Sequence, residues 1–201
     1  MPQIDPHDGG NWGIMGGPFD PIHNGHLILA DSAYKAFHLT GILFLPSLRP
    51  PHRTNKPTAS YEDRIKMISL AINRKSHYIV SRAEENIDGP GYTLSILEYF
   101  QKEYKQVKWF LILGADNIAL FDSWHKPDEI QKRAKIIVGN RPGFNDEFKN
   151  SPWADKVNQF EMPMIDISST QIRRNLKNDI SVAGLLPDSV LDYISEQGLY
   201  K

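Results

Sequence analysis

The chain has 201 residues and 23 basic against 24 acidic side chains, for a net charge of −1, and it contains no cysteine. This balance argues against a general nucleic-acid binder or an anionic-membrane binder and leaves room only for a local basic patch. The absence of thiols excludes disulfides, zinc–thiolate sites and cysteine catalysis, and it fits a reducing compartment, so the expected location is cytoplasmic.

Residues 1–11 are polar, rich in Gly, Pro and Asp, and hold no apolar run. They read as a flexible leader, neither signal peptide nor membrane anchor, ahead of one domain spanning 12–201. Residues 12–15 form a first strand. Leu27, Ala30, Tyr34 and Phe37 recur at helical spacing and predict a helix opening near Asn24. Residues 42–45 are a continuous apolar run that ends at Pro46. A loop over 48–58 carries three prolines together with His52, Arg49 and Arg53. Ser60 is a helix cap with acids in the following turn, and Tyr61, Ile65, Ile68 and Ile72 form the apolar stripe. Residues 78–80 make a short strand. After the turn cluster at 88–91, Thr93 caps a helix with Leu94, Leu97 and Phe100 facing inward. Residues 109–113 and 136–138 are two further apolar strands. A helix capped by residues 168–170 and a last one over 187–197 close the chain.

Continuous apolar strands alternating with helices imply a parallel sheet covered on both faces. The expected fold is therefore α/β: a doubly wound, Rossmann-like parallel sheet in a single domain, with ligands bound beyond the carboxyl ends of the strands.

The most informative run is Met15-Gly16-Gly17-Pro18-Phe19-Asp20-Pro21-Ile22-His23-Asn24-Gly25-His26. A glycine pair lets a backbone approach a bulky group, because no Cβ intervenes. The two imidazoles that follow sit at a helix start, where unpaired N–H groups and a partial positive charge suit phosphate. His23 and His26 thus read as phosphate clamps. Other readings are a helix cap with a core histidine, or a metal pair on one helix face. A second run, Ile167-Ser168-Ser169-Thr170-Gln171-Ile172-Arg173, opens another helix with three hydroxyls and an arginine. It suits the distal phosphates of a triphosphate, although an ordinary cap with a solvated arginine is the commoner reading of such a run taken alone.

Both runs resemble the motifs of the HxGH nucleotidyltransferases. The Pro50-Pro51-His52-Arg53 segment is similar to one in the bacterial nicotinate-nucleotide adenylyltransferases within that family. The resemblance continues through Gly91-Tyr92-Thr93, Gly114-Ala115-Asp116-Asn117 and Trp124 to Arg141-Pro142-Gly143 and the C-terminus. It departs at Pro18, where the family more often has Thr or Ser, and at Ser95-Ile96.

The resemblance implies transfer of an adenylyl group from ATP to nicotinate mononucleotide by direct in-line displacement. His23, His26 and Arg173 would be catalytic. Gly16, Gly17, Phe19, Gly25, Ser168, Ser169 and Thr170 would complete the ATP site. His52, Arg53, Tyr92, Thr93, Asp116, Trp124 and His125 would bind the acceptor nucleotide, with Trp124 stacked on the pyridine ring. For Trp124 alone, a core position is the other reading. For Asp116 a turn-stabilising carboxylate, and for Arg141 a surface ion pair, stand equally beside the nucleotide contact. Mg²⁺ would arrive on the triphosphate, held by substrate and water, so no protein metal ligand is assigned. No nucleic-acid or membrane partner is expected, and a homo-oligomer is one of the states the sequence admits.

Overall fold

The computed structural model of the chain describes residues 5–49, 57–140 and 152–201. Among these, six strands form one all-parallel sheet in the order β3-β2-β1-β4-β5-β6. The strands are β1 (Gly10–Gly17), β2 (Gly41–Pro46), β3 (Tyr78–Val80), β4 (Val107–Gly114), β5 (Lys135–Asn140) and β6 (Asn158–Glu161). The order reverses at β1, which pairs with β2 on one side and β4 on the other. A crevice opens beyond the strand ends at such a reversal.

The helices are α1 (Asn24–Ala36), α2 (Tyr61–Ile72), α3 (Thr93–Glu103), α4 (Ala115–Ala119), α5 (Pro127–Arg133), α6 (Ser169–Lys177) and α7 (Asp188–Gln197). Alternation along each strand divides the core into two layers. Met15, Ile42, Phe44, Ile112 and Ile137 pack with α1, α2, α6 and α7. Trp12, Ile14, Leu43, Leu45, Leu111, Leu113, Ile136 and Val138 pack with α3, α4 and α5. Both faces are therefore apolar, which is why the strands read as unbroken hydrophobic runs. The doubly wound α/β expectation holds.

Two local expectations are corrected, and further elements add to the sequence reading. Strand β1 begins at Gly10 and continues through the glycine pair, because Gly16 and Gly17 stay in register with Leu45 and Pro46. Just ahead of it, Pro6–Asp8 form a 3-10 turn with Pro6 buried, and the Trp12 indole N–H donates to the Gly9 carbonyl at 2.9 Å. Tyr92, not Thr93, occupies the cap position of α3, since the extended backbone (φ −66°, ψ 135°) ends at Tyr92. Finally, β6 and the helices α4 and α5 were not anticipated. Strand β6 lies at the sheet edge with only Phe160 buried, so it lacks an apolar run.

Among the described residues, no helix is long and apolar enough to cross a membrane.

Candidate active site

The turn after β1 is held from several directions. The Pro18 carbonyl accepts from Arg64 Nη1 of α2 at 2.7 Å. Arg64 is buried, and that burial lowers its pKa while the nearby Asp20 carboxylate opposes the shift. Phe19 has φ 47° and is buried, its ring meeting His26 edge-on at 5.0 Å. Asp20 is also buried. Its carboxylate accepts the N–H groups of Thr58 at 2.8 Å and Ala59 at 3.0 Å, and the Tyr200 hydroxyl at 2.7 Å. Burial and the adjoining Asp20 push the Tyr200 phenol well above its ordinary value.

The second motif docks on this turn. The Asp20 carbonyl accepts from Arg173 Nη1 at 2.7 Å, and the Pro21 carbonyl accepts from the Ser169 hydroxyl at 2.9 Å. Residues 153 apart in sequence are thus joined. The C-terminal segment adds two contacts, with Asn24 donating from its side chain to the Gly184 carbonyl and from its backbone to the Leu185 carbonyl. At the start of α6 the cap residue Ser168 accepts the Gln171 N–H on its hydroxyl at 3.2 Å, and Thr170 Oγ1 accepts from Arg173 Nη2 at 3.4 Å.

His23 is the cap residue of α1, buried, and stacked on His26 with ring centroids 3.7 Å apart. The His23 backbone N–H donates to His26 Nδ1 at 3.2 Å. In a neutral imidazole, accepting at Nδ1 leaves Nε2 as the protonated, donor nitrogen. Gly25 permits the stack, because a Cβ there would stand 3.0 Å from His23 Nδ1 and 3.1 Å from Cε1.

Beside this turn lies a cavity of about 400 Å³. Its walls come from the ends of β1 and β2 (Gly16, Gly17, Pro18, Ser47), from Glu84 and Gly91, and from Thr93, Asn117, Trp124 and His125. The Tyr92 and His125 rings stack at 4.4 Å, and the partly buried Trp124 packs on Phe121 at 5.2 Å. The structure therefore gathers Gly16, Gly17, Thr93, Trp124 and His125 around one space, with Tyr92 stacked on His125. His23, His26, Ser168, Ser169, Thr170 and Arg173 cluster at the neighbouring turn. Asp116 is exposed, with Oδ1 folded back to within 2.6 Å of where a Gly114 Cβ would lie. His52, Arg53 and Arg141 lie outside the described residues. Among the described residues, no cluster of three His, Asp or Glu side chains is placed to hold a metal ion.

Three site residues escaped the sequence reading as functional candidates: Asp20, Arg64 and Glu84. Arg64 carried a signal, since it sits within the apolar stripe of α2, where a charge is seldom buried without a partner. Glu84 is one of two adjacent acids in a polar stretch and carried none. It is 4% exposed, and its Oε2 accepts the N–H groups of Leu48 at 2.8 Å and Arg49 at 3.2 Å. Burial raises its pKa, against those two bonds and the charges of Arg64 and Arg49.

A glycine pair and two stacked histidines thus lie at the strand-order reversal, with the start of α6 docked beside them. The family model described as cytidylyltransferase-like matches residues 14–175. The probable nicotinate-nucleotide adenylyltransferase of Moorella thermoacetica is 38% identical, covering 96% of this chain and 92% of that protein. The protein of the same description from Clostridium kluyveri is 36% identical, covering 94% of this chain and 98% of the relative. The chain belongs to the nicotinate-nucleotide adenylyltransferase family, and it is an enzyme. Among solved structures, Plasmodium falciparum nicotinic acid mononucleotide adenylyltransferase complexed with APC is similar in fold. It superposes with a TM-score of 0.75 at 20% identity, covering 95% of this chain and 97% of that one. The same enzyme complexed with NaAD gives a TM-score of 0.75 at 20% identity, covering 94% of this chain and 97% of that one.

Proposed function

We propose that the protein transfers the adenylyl group of ATP to nicotinate mononucleotide, releasing pyrophosphate and forming deamido-NAD, a step of NAD biosynthesis in the cytosol. The observation that carries this reading is the docking of Arg173 and Ser169 onto the carbonyls of Asp20 and Pro21, directly before the His23–His26 stack. That arrangement sets two helix starts, two imidazoles and a guanidinium around one turn, next to a cavity holding Trp124. The names of the relatives, and the NaAD and APC complexes of the Plasmodium enzyme, support the choice of substrates.

In this reading an oxygen of the mononucleotide phosphate attacks the α-phosphorus of ATP. The new P–O bond forms as the bond to the bridging oxygen of the β-phosphate breaks, and that electron pair leaves with pyrophosphate. The nucleophile is anionic at neutral pH, so no side chain need remove a proton, and no covalent enzyme intermediate is needed. The enzyme's task is positioning and charge stabilisation. His26 Nε2–H is a donor for charge gathering on the leaving group. The N-termini of α1 and α6 favour anions through their unpaired N–H groups and dipoles. Arg173 adds a planar cationic fork for the far end of the triphosphate. Mg²⁺ enters as part of the ATP substrate.

On the acceptor side, the N-terminus of α3 offers N–H groups to the nicotinate carboxylate, and Trp124 offers a face to the electron-poor pyridinium ring. The test is product analysis with the purified protein, ATP, Mg²⁺ and nicotinate mononucleotide. Deamido-NAD and pyrophosphate should appear in equal amounts. Pyrophosphate release supported by phosphopantetheine instead, or ATP cleavage without dinucleotide, would overturn the reading.

A further inference from the structure

We infer that Glu84 is a positioning residue for the acceptor wall of the cavity, holding the end of β2 and the start of α3 at the separation the acceptor ring needs. The inference rests on the functional reading above, because it takes the cavity around Trp124 as the acceptor site. Glu84 lies in the short 3-10 turn Ala83–Asn86, lines the cavity and is 4% exposed. One of its oxygens, Oε2, binds two consecutive N–H groups, those of Leu48 and Arg49, at 2.8 and 3.2 Å. These residues leave the end of β2. The same carboxylate lies against Gly91, where a Cβ would come within 2.6 Å of Oε2 and 3.1 Å of Oε1.

A second set of bonds closes the brace from outside. The Gly91 N–H donates to the Arg49 carbonyl at 3.2 Å, and Arg49 Nη1 donates to the carbonyls of Ile87 at 3.1 Å and Gly89 at 3.2 Å. Residues 48–49 and 87–91 are thus locked together, inside by Glu84 and outside by Arg49. Tyr92 and Thr93, which follow at once, carry the His125 stack and the start of α3.

A carboxylate kept from water is an expensive way to join two backbone segments, so stability alone gives little reason for it. It offers instead a strong, fixed acceptor with both N–H groups aimed at one point. The wall so fixed touches the acceptor side of the cavity. The triphosphate turn is held by other groups, Asp20, Arg64, Arg173 and Ser169. Glu84 should therefore act on the acceptor and not on ATP.

Pyrophosphate release, with ATP and nicotinate mononucleotide varied separately, reads this directly. Glu84→Ala should raise KM for nicotinate mononucleotide by about tenfold or more, the scale of losing charge-assisted hydrogen bonds, and leave KM for ATP within about twofold. Glu84→Gln keeps one oxygen for the two N–H groups and should recover most of the loss. Gly91→Ala, which drives a Cβ onto Glu84 Oε2, should shift the same KM in the same direction. Thermal melts accompany each variant. A general structural role would lower Tm and move both KM values together, and that result overturns the inference, as does a folded Glu84→Ala with both values unchanged. Should Glu84→Ala not fold, Gly91→Ala and Glu84→Gln decide by the same criterion. If the parent fails with nicotinate mononucleotide, the functional reading fails. If the parent succeeds and the split is missing, only the Glu84 inference fails.

Discussion

The turn after β1 and the wall running from β2 to α3 are each pinned by a buried carboxylate, but their surroundings differ. Asp20 accepts from Thr58, Ala59 and Tyr200, and its own backbone is gripped by Arg173. Arg64 and Ser169 fasten the residues on either side. Four separate elements therefore set the geometry of the turn. Glu84 holds its wall with two N–H bonds, and the space beside it is an open cavity with the 64% exposed Leu120 on its lining. The contrast fits the division of labour proposed above. Chemistry on a triphosphate demands fixed donors, because misplacing charge stabilisation is costly. Acceptor recognition demands a shaped space with few, well-placed polar groups.

Substitutions in the two regions should separate along this line. The largest effect is expected from His26→Ala, which removes the Nε2–H donor proposed for the leaving group. Its kcat should fall on the order of 10²–10³-fold with the fold intact. Steady-state kinetics with circular dichroism check this, and a near-parental kcat would rule out the clamp role. Arg173→Ala should raise KM for ATP by roughly 10- to 100-fold and leave acceptor binding largely intact, the scale for a lost hydrogen bond to a charged group. Separate titration of each ligand reads it. Equal losses would mean that Arg173 acts through its bond to the Asp20 carbonyl and not through the proposed contact with ATP.

Smaller and of another kind is Tyr200→Phe, which deletes one donor to the buried Asp20 carboxylate. Stability should drop by about 1–3 kcal/mol, seen as a fall of several degrees in Tm, with the substrate preference unchanged. An unaltered Tm would show that the C-terminal tyrosine does not brace the turn. Trp124→Ala should have the mildest effect, a loss of about 0.5–1.5 kcal/mol in acceptor binding through the missing stack. Isothermal titration with the acceptor tests it, and unchanged affinity would return Trp124 to a purely core role.

The sequence made the two helix-start motifs legible and hid the buried charges Asp20, Arg64 and Glu84 that brace the site, for physical reasons. Glycines and histidines packed into one turn declare themselves locally, and Ile167 to Arg173 repeats the signal at another helix start. Apolar runs such as 42–45 mark strands buried on both faces, and the structure places them in β2 and its neighbours. Strand β6 escaped because an edge strand needs only Phe160 inside. Tyr92 at the cap of α3 was misread as Thr93, because threonine is the better capping residue and the Tyr92–His125 stack is not a local feature. Glu84 was invisible as a site residue, and Arg64 showed only as a charge within an apolar stripe, because the partners that make their burial tolerable, the N–H groups after β2 and the Pro18 carbonyl, are distant in sequence. A charged residue reads as exposed until its partner is known.

The choice of acid over amide at the acceptor tests the account most directly. A carboxylate at the N-terminus of α3 gains from free N–H groups and the helix dipole, whereas a carboxamide brings no charge and turns a donor toward donors. The kcat/KM values for nicotinate mononucleotide and nicotinamide mononucleotide, measured side by side, should favour the acid at least tens-fold, roughly the scale of 2 kcal/mol or more. Trp124→Ala should lower both and keep their ratio, because both rings are pyridinium. Equal use of acid and amide by the parent would contradict the assignment of the acceptor site.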